Sequence, residues 1–359
     1  MRVLPGLVLA AGLAACSTTG LAPIADAPEM PDLGDIARKY DFTGDIKASL
    51  SGTGPLPVQS FGMRQAEDRI WPWASITKQV MAVLTMQQVE AGVLDLDTPI
   101  SVYLDDWSAG GPQAPSMRQL LRHQSGFRQQ ELNEPIALTN AGIPDTLEVT
   151  RTVMDPAWCL EDRAEPGGEF AYNNCDTIWV GKVLENITGM PVSALFRDGI
   201  ADPAGMRDTQ FIEPDTAIPF GRGTRDNEII ALHGASAALT GTAADLLAFD
   251  RALMSGRMLS SESLAEMWDG IPQLGYSALG QWSFTSSLAG CSAPVRIVER
   301  RGTVLSRYQA RNFILPQKDL AIVVFMPEGE EDFAFGEIWK SGGFSYDLLS
   351  KIACGNDAS

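Results

Sequence analysis

The chain has 359 residues, of which 45% are hydrophobic and 20% are charged. This balance is typical of a folded globular protein, and the length is enough for one large domain or for two domains that share a cleft. The formal net charge of −18 argues against nucleic acid as a partner, because binding to phosphates needs a concentrated Lys/Arg surface.

The N-terminal segment is typical of an export signal. Residues 1–20 contain one arginine, an apolar run too short to span a bilayer, and small residues before a cysteine. Residues 13–16, Leu-Ala-Ala-Cys, resemble the lipobox of bacterial lipoproteins. The resemblance implies cleavage before Cys16 and attachment of lipid to its thiol. The alternative is an ordinary signal peptide that happens to contain a cysteine.

The predicted organisation is a signal peptide at 1–15, a lipidated tether at 16–33 and one domain at 34–355. The tether is rich in Ala, Pro, Ser and Thr, as flexible linkers are. Lipid on Cys16 would anchor the protein to a membrane of the cell envelope, on its periplasmic side. Ser17 favours the outer membrane if the host is Gram-negative, by resemblance to known sorting signals. The oligomeric state is not predicted.

Export would place the other four cysteines in an oxidising compartment. Four cysteines allow three pairings, and the sequence does not choose among them. Cys159–Cys175 and Cys291–Cys354 are favoured because each pair falls in one part of the chain, and four free thiols are the alternative. No cysteine spacing resembles a zinc site and the chain has only two histidines, so neither a metal nor another cofactor is expected.

The first elements of the domain are predicted to be strands and then a buried helix. Residues 42–63 indicate two short strands separated by a Gly/Pro turn. From Ser75 to Glu90, apolar residues recur at helical spacing, and Gly92 follows the expected end of the helix. A helix with so many apolar residues is expected to lie in the core.

Helical signals dominate the region from about 71 to 269. Ser116 with Gln119 has the pattern of a capping box, and Thr242 with Asp245 has the same arrangement. The first pair predicts a cap ahead of residues 120–127, and the second predicts the start of an amphipathic helix at 242–256. The region is therefore expected to be an insertion made mostly of helices.

After residue 270 the pattern changes to that of strands and ends with a helix at 344–353. Strands near both ends of the chain and helices between them predict a single α/β body, at about 34–70 and 270–355, that carries the helical insertion. The four strand-like runs are 276–284, 294–300, 310–316 and 319–327.

Ser75 and Lys78 form the first candidate catalytic pair. On a helix, residues i and i+3 lie on one face, and the start of a helix favours negative charge that develops nearby. The pair therefore suits a serine nucleophile with a lysine as its base, if desolvation or nearby positive charge lowers the lysine pKa. The alternative is a serine that caps the helix and a lysine whose amine reaches the surface.

Several segments of the chain resemble, in the same order, motifs of the serine hydrolase superfamily of class C β-lactamases, D,D-carboxypeptidases and related esterases. The most specific feature is Ser-Ile-Thr-Lys at 75–78 followed by Tyr-Asn-Asn at 172–174, which matches the Tyr-x-Asn of the family. The resemblance runs from about 42 to 327. It implies an α/β fold of the β-lactamase/transpeptidase type, with an antiparallel sheet flanked by helices. Other similar segments are LLRHQSGF at 120–127, PGGEFAYNN at 166–174 and ALTGTAADLLAF at 238–249.

The resemblance implies a role for each residue of these motifs. Ser75 would be the acylated nucleophile and Lys78 its proton partner. Tyr172 would be the second acid/base group, which passes a proton to the leaving group and activates the deacylating water. Asn174 would hydrogen-bond Lys78 and the substrate amide, and His123 would brace its loop rather than act in catalysis. Which residue is the general base stays open.

The third family motif, Lys/His-x-Gly, aligns with residues 300–302, Arg-Arg-Gly. Arg300 cannot relay a proton under ordinary conditions, but it can hold a carboxylate through two parallel hydrogen bonds. Gly302 would allow close approach of the substrate backbone, and the N–H groups of Thr303 and Ser75 would form an oxyanion hole. The alternatives are that Arg300 is a solvated strand residue, that the alignment is shifted by one, or that the site has decayed.

The leading hypothesis is an envelope-anchored serine hydrolase that acts on an amide or an ester through an acyl-enzyme on Ser75. Its substrate would be a small molecule or a peptide, with D-alanyl peptides and β-lactams as the candidates that carry a carboxylate. An esterase on the same fold is the nearest alternative. A non-catalytic lipoprotein that binds envelope peptides or a partner protein is the alternative from another class.

Overall fold

The structure is a computed structural model, and the residues that it describes are 30–50, 54–105, 107, 111–128, 146–213, 215–218, 224–305, 307–327 and 333–355. The predicted signal peptide, Cys16 and most of the tether lie outside these ranges, so those expectations stay predictions. Leu33, the last residue of the predicted tether, is fully buried in the core. Within the described ranges, none of the helices combines the length and the apolar character needed to cross a membrane.

Two antiparallel sheets are present in the described residues. The large one has seven strands in the order β2-β1-β10-β9-β8-β7, with β3 paired to β1 beside β2, and the small one has the order β4-β6-β5. The strands are β1 (Gly44–Leu50), β2 (Gly54–Pro55), β3 (Gln59–Phe61), β4 (Trp71–Pro72), β5 (Gln210–Phe211), β6 (Leu239–Gly241), β7 (Trp282–Ser286), β8 (Val295–Val304), β9 (Tyr308–Leu315) and β10 (Leu320–Pro327).

Helices flank the large sheet and account for most of the regular secondary structure described between β4 and β7. Short 3-10 turns occur at Ala74–Ile76, Ile100–Tyr103, Gly234–Ser236, Pro272–Leu274 and Pro316–Lys318, with a π-helical turn at Arg197–Ala201. The α-helices of the described residues are α1 (Gly34–Lys39), α2 (Thr77–Glu90), α3 (Met117–Leu121), α4 (Thr146–Val153), α5 (Pro156–Cys159), α6 (Cys175–Thr188), α7 (Val192–Phe196), α8 (Asp202–Ala204), α9 (Thr224–Leu232), α10 (Ala243–Met254), α11 (Ser261–Met267) and α12 (Phe344–Cys354).

Strand β10 separates two hydrophobic cores. Successive side chains of a strand point to opposite faces of the sheet. Ala321, Val323 and Phe325 therefore enter the core shared with the helical insertion, whereas Ile322 and Val324 enter the core under α1 and α12. This burial on both faces explains why the sequence of β10 is a continuous apolar run instead of an alternating one.

The predicted α/β fold, an antiparallel sheet flanked by helices with a mostly helical insertion, is confirmed. Residues 42–63 form three strands rather than the two expected, since β2 and β3 pair separately with β1 on either side of a proline-containing turn. The capping box of Ser116 and Gln119 is present. Thr242 accepts a hydrogen bond from the Asp245 N–H at 3.1 Å, as expected of a cap.

Both favoured disulfides are confirmed. Cys159–Cys175 joins the end of α5 to the first residue of α6. Cys291–Cys354 joins the loop between β7 and β8 to the last residue of α12. Each bond therefore links elements within one part of the fold.

Candidate active site

The turn that carries Ser75 is held between the small sheet and the start of α2. The Trp73 N–H donates to the carbonyl oxygen of Leu239 at 2.8 Å. The Thr77 hydroxyl donates to the carbonyl oxygen of Ala74 at 2.7 Å and accepts from the Leu239 N–H at 3.2 Å. These bonds fix the 3-10 turn of Ala74–Ile76 immediately before α2.

Ala74 has a left-handed backbone conformation, with φ of 48°. A non-glycine residue in this region costs on the order of 1 kcal/mol, so the surrounding contacts must maintain it. Ala74 is buried and directly precedes the nucleophile predicted from the sequence. The strain thus lies in the turn that positions Ser75.

Lys78 is buried and donates hydrogen bonds to three oxygens. Its Nζ lies 3.1 Å from Ser75 Oγ, 2.7 Å from Asn174 Oδ1 and 2.9 Å from the carbonyl oxygen of Ser236. Only 1% of the residue is exposed. Desolvation lowers the pKa of Lys78 to about 8; the charge of Arg300 acts in the same direction and Tyr172 opposes it. The amine is therefore much closer to neutrality than an ordinary lysine.

Tyr172 approaches the same oxygen from the other side. Its hydroxyl donates to Ser75 Oγ at 2.7 Å, and its ring centroid lies 5.1 Å from Lys78 Nζ. Desolvation raises the pKa of this phenol, but the charges of Lys78 and Arg300 and the hydrogen bonds outweigh that effect and lower it to about 8. The side chain is still partly accessible, since 38% of the residue is exposed.

Ser75 Oγ is thus hydrogen-bonded to two groups that both titrate near neutral pH. A neutral Lys78 amine or an ionised Tyr172 hydroxyl can accept its proton, and both lie within the distance that direct transfer requires. This geometry is suited to activating a serine hydroxyl as a nucleophile.

Arg300 lies in strand β8 opposite Asn312 of β9 and is 1% exposed. Its Nε donates to the carbonyl oxygen of Ser75 at 2.8 Å, and its Nη2 donates to the Tyr172 hydroxyl at 3.1 Å. The alternative of a solvated strand residue is therefore wrong, because the β8–β9 pairing turns this side chain into the site. Two guanidinium nitrogens already donate inside the protein, and binding of a substrate carboxylate by Arg300 stays a prediction.

Gly302 and Thr303 follow on the same strand. A Cβ atom on Gly302 would lie 2.6 Å from the carbonyl oxygen of Trp73 and 3.3 Å from the nitrogen of Ser75. The close approach at Gly302 is thus made by the chain's own nucleophile turn. Thr303 is exposed and pairs with Gln309 of β9. The roles of Thr303 and Ser75 N–H in an oxyanion hole stay predictions.

His123 braces the loop that carries Tyr172, as predicted. Its carbonyl oxygen accepts from the Ala171 N–H at 2.8 Å, and its Nδ1 lies 2.7 Å from Asp176 Oδ2. Burial lowers the pKa of His123 well below its usual range and raises that of Asp176 well above its own. On the far side of the loop, Cys175 follows Asn174 directly and is tied to α5 by its disulfide.

Three neighbours of the site were not predicted from the sequence: the carbonyl oxygen of Ser236, the ring of Trp282 and the carboxyl group of Asp176. A backbone carbonyl has no sequence signature, and Trp282 is remote in the chain from every motif. Asp176 gave no signal of a buried role, because an acidic residue in the first turn of a helix is common on account of the helix dipole. Trp282 stacks on Arg300, with 5.1 Å between the guanidinium carbon and the ring centroid.

The described residues contain no group of three or more His, Cys, Asp or Glu side chains placed to hold a metal ion. The polar groups nearest to Ser75 are instead hydrogen-bonded to one another. The chemistry that this arrangement offers on its own is proton transfer around a serine hydroxyl.

Comparison with known proteins gives one family and several distant relatives. The family model described as Beta-lactamase matches residues 57–340. Esterase EstB of Burkholderia gladioli is 28% identical over 174 residues, which are 45% of this chain and 44% of that protein. The putative penicillin-binding protein PbpX of Bacillus subtilis (strain 168) is 26% identical over 205 residues, 54% of this chain and 49% of that protein.

Both alignments cover less than half of the length of the curated relative. A likeness over the whole domain comes from solved structures. The crystal structure of a D-stereospecific amidohydrolase from Streptomyces sp. superposes with a TM-score of 0.70 at 21% identity, over 90% of this chain and 99% of that one. At this identity the superposition shows a shared fold.

Proposed function

The chain belongs to the beta-lactamase family, and from this premise we propose that it is a serine hydrolase that cleaves an amide or an ester through an acyl-enzyme on Ser75. The observation that carries the proposal is the position of Ser75 Oγ, 3.1 Å from Lys78 Nζ and 2.7 Å from the Tyr172 hydroxyl. The names of the relatives, an esterase and an amidohydrolase, support the same reaction class.

Acylation would begin with attack of Ser75 Oγ on the carbonyl carbon of the substrate. The hydroxyl proton passes to the Lys78–Tyr172 pair, whose two basic atoms both contact Ser75 Oγ. When the tetrahedral intermediate collapses, the bond to the leaving group breaks and the Tyr172 hydroxyl donates a proton to it. The products are an acylated Ser75 and a free amine or alcohol.

Deacylation would use the same groups in reverse. Tyr172 accepts a proton from a water molecule, and the resulting hydroxide attacks the acyl carbon. The bond to Ser75 Oγ breaks, and the serine recovers its proton from Lys78 or Tyr172. Partial exposure of Tyr172 allows water to reach this position.

The surroundings of Arg300 favour substrates that are recognised without a carboxylate. Its Nε and Nη2 donate to Ser75 and Tyr172, and the neighbouring Arg301 is paired with Glu299 and Glu337. Free donors for a carboxylate are thus scarce along this part of β8. An ester or amide that carries no carboxylate is therefore the first candidate substrate.

A peptide or β-lactam with a terminal carboxylate is the second candidate. Similarity to the putative penicillin-binding protein PbpX and the positive charge of Arg300 beside Ser75 favour it. Such a substrate would have to bind the remaining guanidinium nitrogen or displace one of the two internal hydrogen bonds.

The proposal places the enzyme in the cell envelope, anchored by lipid on Cys16. The sequence at 13–16 and the two disulfides support this location, since disulfides form in exported proteins. The test is expression of the full chain with and without Cys16→Ser. The unchanged chain is expected in the membrane fraction and the variant in the soluble fraction; equal distribution would contradict lipidation.

Intact-mass spectrometry tests the catalytic proposal. The soluble protein without residues 1–16 is incubated with a fluorophosphonate, which has no carboxylate, and separately with a penicillin, which has one. A single adduct that is absent from Ser75→Ala is expected with the fluorophosphonate. An additional penicillin adduct would favour the second candidate substrate. No adduct with either probe on folded protein would overturn the hydrolase and favour a non-catalytic envelope lipoprotein.

A further inference from the structure

Arg300 contacts both groups that would carry out the proposed reaction. Its Nε donates to the carbonyl oxygen of Ser75 at 2.8 Å, and its Nη2 donates to the Tyr172 hydroxyl at 3.1 Å. A guanidinium is planar and its donors have fixed directions. One side chain therefore sets the position of the tyrosine relative to the turn that carries the nucleophile.

The guanidinium also lies close to two aromatic rings. Its carbon lies 5.3 Å from the ring centroid of Tyr172 and 5.1 Å from that of Trp282, and the residue is 1% exposed. Cation–π contact with the two rings favours retention of the charge in a place that water hardly reaches. At such a place a charge acts more strongly on a neighbouring phenol than it would in water.

The other charged or titratable groups around Tyr172 come from three elements. Lys78 on α2 lies beside the Tyr172 ring. His123 lies after α3, and its pKa is lowered by burial and by the charges of Arg300 and Lys78. Asp176 at the start of α6 has its pKa raised by burial. Lys78 loses its own charge in the pH range in which Tyr172 ionises. The guanidinium of Arg300 keeps its charge in that range, although burial lowers its pKa.

We propose that Arg300 is a positioning residue that holds the Tyr172 hydroxyl against Ser75 and supplies a permanent positive charge for the phenolate. It stands where the resembling families have a titratable Lys or His. The catalytic consequence rests on the proposed function: the charge of Arg300 still stabilises the phenolate after Lys78 has become neutral, so that both groups can accept a proton from Ser75 in mildly alkaline solution.

The test is a spectroscopic titration of tyrosine in the folded protein without substrate. Ultraviolet difference absorbance follows the formation of tyrosinate, and Tyr172→Phe identifies the transition that belongs to Tyr172. Tyr308 does not interfere, because burial raises its pKa to about 12. We expect Arg300→Gln to move the Tyr172 midpoint upward by about one pH unit or more, because the charge is lost. Arg300→Lys, which keeps a cation, should leave the midpoint near its original value.

Arg301→Gln is the matched control. Arg301 is the next residue of the same strand, but its guanidinium pairs with Glu299 and Glu337. Its loss should leave the Tyr172 midpoint unchanged. An equal midpoint in Arg300→Gln and the unchanged protein would overturn the proposal. If Arg300→Gln does not fold, Arg300→Met is the second uncharged variant, and an unmoved midpoint in that protein would overturn the proposal instead.

The titration separates this proposal from the proposed function. It needs no substrate, so the charge effect of Arg300 can be measured whether or not Ser75 reacts. Absence of any Ser75 adduct would count against the hydrolase alone. An unmoved midpoint in an Arg300→Gln protein that still forms the fluorophosphonate adduct would count against the role of Arg300 alone.

Discussion

The hydroxyl of Tyr172 lies 2.7 Å from Ser75 Oγ, although the two residues are 97 positions apart in the chain. Tyr172 belongs to the loop before α6 and Ser75 to the turn before α2. Lys78 completes the arrangement from within α2, on the other side of the same oxygen. Acylation of Ser75 should therefore depend on the protonation of both Lys78 and Tyr172.

The rate of acylation should rise with pH up to about 8 and then level off. The pair of Lys78 and Tyr172 must lose a proton before it can take one from Ser75. The pKa of each group is lowered to about 8. Since the two groups interact, the midpoint belongs to the pair rather than to either residue. The measurement is the rate of fluorophosphonate labelling, or kcat/KM with an ester, from pH 6 to 10.

Lys78→Ala should lower that rate about 10²- to 10⁴-fold, as expected for loss of a general base. Its near-ultraviolet spectrum, compared with that of the unchanged protein, shows whether the fold is intact. A labelling rate that does not vary with pH in the unchanged protein would refute the role of the pair.

Gly302→Ala should reduce labelling about 10²-fold, because the new methyl group would displace the turn that presents Ser75. The added Cβ would meet the carbonyl oxygen of Trp73 at 2.6 Å and the Cβ of Ala74 at 3.1 Å. Gly168→Ala is the control, since a Cβ at Gly168 meets nothing within 4 Å. Equal rates for the two variants would show that the turn tolerates the displacement.

Asp250→Asn should stabilise the protein at neutral pH by about 1 to 3 kcal/mol. Asp250 Oδ1 accepts from Asn312 Nδ2 at 2.8 Å, while Asp250 Oδ2 and Asn312 Oδ1 are buried acceptors without a hydrogen-bond partner in the described residues. An amide at position 250 replaces the Oδ2 acceptor with an NH2 donor, which can serve the buried Asn312 Oδ1. Asp250→Ala should instead destabilise the protein, because it removes the partner of Asn312.

The gain from Asp250→Asn should depend on pH with a definite sign. Burial raises the pKa of Asp250 well above its usual range, so the folded state binds more protons than the unfolded state above about pH 4. Stability of the unchanged protein is therefore lost as the pH rises from about 4 towards the folded pKa. Thermal melting at pH 4.5 and pH 7.5 should show the larger gain at pH 7.5, and a larger gain at pH 4.5 would contradict this assignment.

Loss of the Cys291–Cys354 bond should cost more stability, whereas loss of the Cys159–Cys175 bond should cost more activity. The residues of Cys159–Cys175 are 16 positions apart and those of Cys291–Cys354 are 63 apart, so the chain-entropy model gives losses of about 3 and about 4 kcal/mol when each pair is changed to serine. Cys175 directly follows Asn174, the partner of Lys78. Labelling of Ser75 should therefore fall more in Cys159→Ser/Cys175→Ser than in Cys291→Ser/Cys354→Ser. Chemical denaturation should show the larger loss of stability in Cys291→Ser/Cys354→Ser.

Features that depend on short separations in the chain could be predicted from the residues alone. Ser75 and Lys78 are three residues apart, so one helical turn is enough to bring them together, and the caps at Ser116 and Thr242 are equally local. The alternation and the apolar runs of the last strands predicted the sheet, because side chains of a strand point alternately to its two faces. The motif containing Tyr172 was identified through its resemblance to a family.

The position of the Arg300 side chain could not be predicted from the residues around it. The sequence allowed a clamp for a substrate carboxylate or a solvated residue, whereas the fold buries Arg300 and directs it to Ser75, which is 225 positions away. The carbonyl oxygen of Ser236 reaches Lys78 over a separation of 158 positions for the same reason. Such contacts depend on the register of β8 with β9 and on the packing of the helical insertion against the sheet, and the local pattern of residues specifies neither.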